Sequence, residues 1–411
     1  MTDTGAEVRP FTIAVPEEEL AELQRRLAAV RWPAEPEKPE RYGTPTARIK
    51  ALVDYWRHEY DWRRWEAELN RYPQFTTTID GATIHFLHVR SADPDAVPLI
   101  LTHGWPGSVA EFLDIIGPLT DPAAFGHPDG PAFHLVIPSL PGFGWSGPTS
   151  DGGWGPRRIA GAWARLMERL GYRRYGAVGN DWGSVISPEL GRVAPDRVIG
   201  VHVTQLFSKP PGEVGYAVPS VEPEDLDQLS AADREALADL RWLQSGFSSY
   251  HHVHATKPLT LGYGLSDSPV GLLAWNHQVM GDLDPDAVLT HVSTHWFTGT
   301  AASAPMIYAD DAAEAAEAAQ GEPTTVPLGL AQFPDDARAI RAYAEREHSA
   351  ILAWNRHPIG GHYAARQQPA LLINDLRTFF RLVGAPAIRV SGRKENGSDD
   401  ESSPPRGDHR R

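Results

Sequence analysis

The chain is 411 residues long, 41% hydrophobic and 22% charged, with a formal net charge of −15 and no cysteine. Those values describe a large folded protein rather than a disordered one, and they exclude disulfides and thiolate catalysis. The acidic balance disfavours non-specific binding to nucleic acid or to an anionic membrane, and the lack of cysteine fits a reducing cytoplasm.

The N-terminus, MTDTGAEVRP, has no signal-like apolar core, and no window approaches the roughly 18 apolar residues of a spanning helix. VPEEELAELQRRLAAVRWP (residues 15–33) predicts an amphipathic helix: Leu20, Leu23, Leu27 and Val30 recur at three- and four-residue spacing, with acids in the first turn. Tyr55, Trp56, Tyr60, Trp62 and Trp65 follow and read as packing residues, because aromatic rings bury large areas. This opening predicts an N-terminal arm lying against another part of the chain. FTTTIDGATIHFLHV (75–89) predicts a hairpin turning at Asp80-Gly81. PLILTH (98–103), FHLVIPSL (133–140), YGAVGN (175–180) and VIGVHVT (198–204) are near-continuous apolar runs, as buried parallel strands require. RRIAGAWARLMERLG (157–171) is a helix between two of them. Alternating strands and helices predict an α/β fold with a mostly parallel sheet.

Residues from about 206 to 304 break that rhythm. They are helical, punctuated by proline and rich in aromatics and histidine, and read as a lid over the site. The sheet resumes with TTVPLGLAQF (324–333) and ILAWN (351–355), and PALLINDLRTFFRLV (369–383) is a closing helix. The expected division is an arm with the first hairpin over 1–95, core over 96–206, helical lid over 207–304, core again over 305–385, and a polar, disordered tail over 386–411.

GNDWGS (179–184) lies between a strand and a helix, the setting in which G-x-S-x-G places a catalytic serine. Here the apex is Asp181. Asp335 and Asp336 follow a later strand, and His362 follows another. Nucleophile, acid, histidine is the chain order of the α/β-hydrolase triad. Any one of these residues alone would read as a turn or core residue; their joint placement at strand ends points to catalysis. HGWPGS (103–108) lies upstream, where this fold supplies one oxyanion N–H, so the expected donors are the backbone N–H groups of Trp105 and Trp182. A carboxylate at the apex changes the chemistry. Attack on an acyl carbon would give an anhydride, whereas attack on a saturated carbon with a leaving group gives an alkyl ester and needs no base, the carboxylate being ionised at neutral pH. His362 would then activate a water to hydrolyse that ester.

The chain resembles the microsomal-type epoxide hydrolases, including the juvenile-hormone epoxide hydrolases. The resemblance runs from about Pro10 to Leu382 through FTIAVP with RRLAAVRWP, YDWRRWEAELNRYPQF, HGWPGS, GNDWGS, HATKPLTLGYGLSDSPVGLLAW, HWFTGT, FPDD and GGHYAARQQP. It implies an α/β-hydrolase fold with a helical lid and N-terminal arm, Asp181 as nucleophile, His362 as base and Asp336 as the orienting acid, with Asp335 the rival. It also implies two lid tyrosines that protonate the epoxide oxygen, here Tyr250 and Tyr308. Relatives carry a contiguous S-G-Y before A-T-K-P; here Ser245-Gly246-Phe247 precedes Ser248-Ser249-Tyr250, so Phe247 competes for the first tyrosine's place. Asn180 stands where glycine is common, and Asp336 where glutamate is frequent.

Expected partners are a small-molecule epoxide and water, with no nucleic acid, no membrane anchor, no cofactor and no metal; a homo-oligomer stays open. Histidines 251, 252, 254, 291 and 295 have spacings that could ligate a metal, but no carboxylate pattern accompanies them. The rival readings are a haloalkane dehalogenase using the same aspartate, a serine esterase through Ser184, and a non-catalytic binding module. Detoxification and natural-product tailoring both fit the chemistry.

Overall fold

The computed structural model describes residues 7–208, 226–246, 249–281, 283–317 and 323–384; the tail expected over 386–411 lies outside them. The strands are β1 (Arg9–Phe11), β2 (Gln74–Ile79), β3 (Ala82–Val89), β4 (Val97–Thr102), β5 (Phe133–Pro138), β6 (Tyr175–Gly179), β7 (Val198–Val203), β8 (Leu328–Gln332) and β9 (Ile351–Arg356). They form one sheet in the order β1-β2-β3-β5-β4-β6-β7-β8-β9. The first three strands are antiparallel, and everything from β5 to β9 is parallel. At the hairpin, Asp80 (φ 51°) and Gly81 (φ 83°) both take the left-handed conformation that a two-residue turn demands. β1 has no hydrophobic signal of its own. It is a three-residue edge strand whose Pro10 is tolerated because an edge leaves one side unpaired.

The parallel strands read as continuous apolar runs because helices cover both faces. Ile100, Ala177 and Val201 pack on α5 (Pro156–Arg169) and α6 (Trp182–Val193). The alternate residues Leu99, Leu101 and Val178 pack on α4 (Leu113–Thr120) and α15 (Pro369–Gly384). Period-two alternation thus survives in the direction of each side chain although both faces are dry.

Between β7 and β8 lies a helical insertion: α7 (Ala231–Gly246), α8 (Ser249–Thr256), α9 (Pro258–Asp267), α10 (Pro269–Met280), α11 (Pro285–Phe297) and α12 (Met306–Glu317). Its helices continue past Ala304 to Glu317, and the sheet resumes at Leu328. The N-terminal arm is α1 (Glu17–Ala28), α2 (Thr46–His58) and α3 (Trp62–Leu69). Its apolar face does not meet the sheet alone. Leu23, Leu27, Leu52 and Trp56 share one buried cluster with Leu272, Leu273, Val288 and Leu289 of the insertion. Each such side chain contributes about 1.5–3 kcal/mol when fully buried, so the arm clamps α10 and α11 in place. Tyr55 donates to Asp286 at 3.0 Å, and the Tyr60 and Thr290 hydroxyls meet at 3.1 Å.

Candidate active site

Asp181 occupies the turn between β6 and α6 with φ 53° and ψ −119°, in the left-handed region that an L-residue enters only under constraint. The constraints are visible. The Asp181 N–H donates to Gln205 Oε1 at 2.8 Å, the Asn180 N–H to the Thr102 carbonyl at 3.1 Å, and the Ser184 N–H to the Asp181 carbonyl at 2.8 Å. The flanking glycines are needed for space. A Cβ on Gly179 would lie 1.9 Å from the Gly183 carbonyl oxygen, one on Gly183 1.9 Å from that of Thr102, and one on Gly104 1.9 Å from Asp181 Oδ1. Asn180 is accommodated because its side chain is used: Oδ1 accepts from Thr204 Oγ1 at 2.7 Å and from Gln205 Nε2 at 3.0 Å.

The turn presents a buried carboxyl at the N-terminus of α6, where the helix dipole favours negative charge. Asp181 Oδ1 accepts the Trp105 N–H at 2.8 Å, and the carboxyl also receives the Trp182 N–H. Both expected N–H donors therefore converge on one group. His362 Nε2 lies 3.6 Å from Asp181 Oδ2 on the other side, and His362 Nδ1 lies 3.2 Å from Asp336 Oδ1. Asp335 carries a backbone bridge to Gly361 instead, so the carboxyl against the ring is that of Asp336. Gln205, two residues beyond the end of β7, ties the parts together. Its Oε1 accepts from the Asp181 N–H and Ser184 Oγ, and its Nε2 donates to Asp336 Oδ2. Ser184 is thereby committed to Gln205 and the Gly179 carbonyl, at the side of the turn rather than its apex.

Burial raises the Asp181 carboxyl above its usual range, against the opposing pull of His362 and the two N–H groups. Burial alone would lower the His362 imidazole, but Asp336, Asp181 and Glu111 outweigh it and lift the ring to about 9. That corresponds to about 3 kcal/mol of preference for the charged ring. The resting site therefore favours a protonated ring beside Asp336 and Asp181. Histidines 85, 103, 202, 254, 291, 295 and 348 behave oppositely: burial drives each down to about 3 or 4. The signs give a pH optimum for stability. Below pH 6.5 the unfolded chain binds protons that these buried rings refuse, so stability falls as the pH drops toward 4. The His362 contribution is fully present below 6.5 and is lost as the pH rises through 9; that of Glu111, raised by burial to about 8, is fully present only below about 4.5 and is lost between there and 8, opposing only in part the gain from the seven buried rings. Scanning calorimetry from pH 4 to 10 should give a Tm that peaks near neutrality and falls on both flanks.

The insertion closes over the carboxyl. Tyr250 of α8 stacks on the Trp105 ring with centroids 5.1 Å apart, and Tyr308 of α12 packs edge-on against Trp182 at 4.7 Å. The two tyrosines meet at 6.1 Å and hydrogen-bond to each other. Burial and the Asp181 charge raise the Tyr250 hydroxyl, keeping it a neutral phenol that can donate. Phe247 lies outside the described residues. His291 Nδ1 bonds Ser108 Oγ at 2.9 Å and His295 Nε2 donates to the Pro106 carbonyl at 3.1 Å, so α11 fixes the loop that carries the Trp105 N–H. His254 Nε2 accepts from Trp275 Nε1 at 2.8 Å. Among the described residues no three His, Asp or Glu side chains are grouped to hold a metal ion, and no helix is long and apolar enough to cross a membrane.

Residue types and order pointed to Asp181, His362 and the two N–H donors, and the family resemblance to the tyrosines; Asn180 stood out only as a departure from glycine, and Gln205 and Glu111 were not foreseen. Gln205 had one usable signal, its position just after a strand's C-terminal end, where sites of parallel sheets gather.

Comparison with known proteins gives the chain's relatives. A family profile described as "Epoxide hydrolase N terminus" matches residues 8–112, and one described as "alpha/beta hydrolase fold" matches residues 97–259. A Stigmatella aurantiaca protein, provisionally named an epoxide hydrolase, is 42% identical over 92% of this chain and 86% of its own length. Epoxide hydrolase 1 of Sus scrofa is 32% identical over 92% of this chain and 89% of its own. The structure of Aspergillus niger epoxide hydrolase superposes with a TM-score of 0.79 at 32% identity, covering 92% of this chain and 97% of that one.

Proposed function

The chain belongs to the epoxide hydrolases of the α/β-hydrolase fold, and from that premise we propose that it adds water to an epoxide through a covalent ester on Asp181, giving a vicinal diol. The observation that carries this reading is the single buried carboxyl held between two N–H donors on one side and an imidazole on the other. Oδ1 sits in the N–H cradle, which leaves Oδ2 to bond to an oxirane carbon as the ring C–O bond breaks. The oxygen released from the ring takes a proton from Tyr250 or Tyr308, which reach over the site from the insertion, here acting as a lid.

Esterification removes the Asp181 charge, one of the charges that hold a proton on His362. The ring is thereby freed to lose its proton, which makes good the one the tyrosine gave. The neutral imidazole, oriented by Asp336 and Gln205, takes a proton from water as the water oxygen bonds to the Asp181 carbonyl carbon. The oxyanion that forms on Oδ1 is stabilised by the Trp105 and Trp182 N–H groups. Collapse breaks the bond between that carbon and the ester oxygen, His362 returns its proton to the departing diol, and the carboxylic acid left on Asp181 passes its proton to His362, which restores both groups. A haloalkane dehalogenase reading loses its footing here: two phenols over the carboxyl suit an oxygen that must be protonated, and family membership agrees.

Tyr250→Phe and Tyr308→Phe should each slow alkylation of Asp181 by roughly 10-fold, the remaining phenol substituting, while the double variant loses roughly 10³–10⁴-fold, beyond the product of the two single losses and within the usual worth of a general acid. Rapid-quench measurement of ester formation with a styrene-like epoxide tests this. Strictly additive single losses would show that the tyrosines do not share one oxygen.

A further inference from the structure

The segment Val109–Phe112 follows the HGWPGS loop and carries Glu111, a carboxyl only 2% exposed in the heart of the site. Its Oε1 accepts weakly from Asn180 Nδ2 at 3.4 Å, and its Oε2 has no partner among the described residues. Gly107 makes room for it: a Cβ there would lie 2.6 Å from Oε2. That same Cβ position is 3.6 Å from Cε1 of Tyr363, whose hydroxyl is a second buried oxygen without a partner among the described residues. The Tyr363 ring in turn packs edge-on against His362 at 5.0 Å. Glu111 senses the charges of both His362 and Asp181. A buried carboxyl with an unmatched oxygen costs stability that an aliphatic residue would not; the Glu111 charge also acts on the Tyr363 hydroxyl, and neighbouring unmatched polar groups are the usual lining of a water site.

We propose that Glu111 Oε2, with the Tyr363 hydroxyl beside it, holds the water that hydrolyses the Asp181 ester. The inference rests on the two-step reading above and assigns to it the one reactant with no holder so far. Oε2 binds the water as a donor when the carboxyl is protonated and as an acceptor when it is ionised; in both states the water is kept between His362 and the ester carbon. One water proton passes to His362 Nε2 and the oxygen bonds to the ester carbon, so Glu111 itself neither gains nor loses a proton over the step. Ester formation needs no water, so the two half-reactions separate the role from mere packing.

The test compares Glu111→Met, which keeps length and removes both oxygens, with Glu111→Gln, which keeps a polar atom at each position. With a styrene-like epoxide, rapid quench and intact-mass spectrometry read ester formation and decay. The expected result for Glu111→Met is ester formation within about 3-fold of wild type and decay slowed by roughly 10–100-fold, the scale of a misplaced reactant; Glu111→Gln recovers part of that loss. Decay at the wild-type rate in Glu111→Met, or equal loss of both steps in both variants, overturns the inference. Should Glu111→Met fail to form ester through misfolding, Glu111→Gln decides: slowed decay alone supports the role, and unchanged decay overturns it. His362→Gln run alongside keeps the two ideas apart. Absence of ester even there removes the two-step reading, whereas ester there with normal decay in the Glu111 variants removes only the role of Glu111.

Discussion

Asp181→Ala abolishes diol formation, with a loss of roughly 10⁴–10⁶-fold, the range in which enzymes lose a residue acting at the reacting centre. No other carboxylate can substitute. Asp336 is engaged by His362, Gln205 and the Ala337 N–H, and Glu111 is not held by the Trp105 and Trp182 N–H groups but accepts from Asn180. The Trp105 and Trp182 N–H groups would remain, but with no ester carbonyl to stabilise. The same variant should keep its fold. Burial already pushes the Asp181 carboxyl away from its charged form, so the folded state gains little from that charge, and alanine can be held in the same strained turn by the backbone bonds to Thr102 and Gln205. Diol assays together with calorimetry check both halves. A variant with ordinary Tm and ordinary turnover would remove Asp181 from the mechanism.

His362→Gln separates the two steps instead of abolishing both. The Asp181 carboxylate needs no base, so alkylation proceeds, although it loses the imidazolium that helps to keep Asp181 ionised within a buried site. Hydrolysis loses its general base, a contribution of roughly 10²–10⁴-fold. The ester therefore accumulates. Intact-mass spectrometry after mixing with an epoxide should show one adduct of the substrate's full mass, and peptide mapping should place it on the segment carrying Asp181. Slow steady-state turnover with no adduct, substrate being bound, would instead indicate direct attack of water on the epoxide.

The parts of this site that were legible in the sequence are those whose chemistry is set by residue type and by position at a strand's end. Asp181, His362 and the HGWPGS loop could be placed because a parallel sheet brings the C-terminal ends of its strands together. The structure was needed to separate Asp335 from Asp336, since neighbours in a turn point in different directions and only one reaches His362. It was also needed to bring Tyr250 onto Trp105, because Tyr250 belongs to a helical insertion whose pose depends on the arm packed behind it. The arm was recognisable as an amphipathic segment, but the surface it covers is made by residues more than two hundred positions away. Gln205 and Glu111 were invisible for the same reason: each is an ordinary residue type whose importance comes entirely from what the fold sets beside it.

On this mechanism water attacks the enzyme and never the substrate. A single turnover in ¹⁸O-labelled water, with wild-type enzyme in excess over the epoxide, tests it most directly. Since the diol's new oxygen is drawn from Asp181 and the carboxyl is refilled from water, the first turnover should release unlabelled diol and leave one ¹⁸O on the peptide carrying Asp181. Label in the diol from that first turnover, with none on Asp181, would contradict the covalent mechanism.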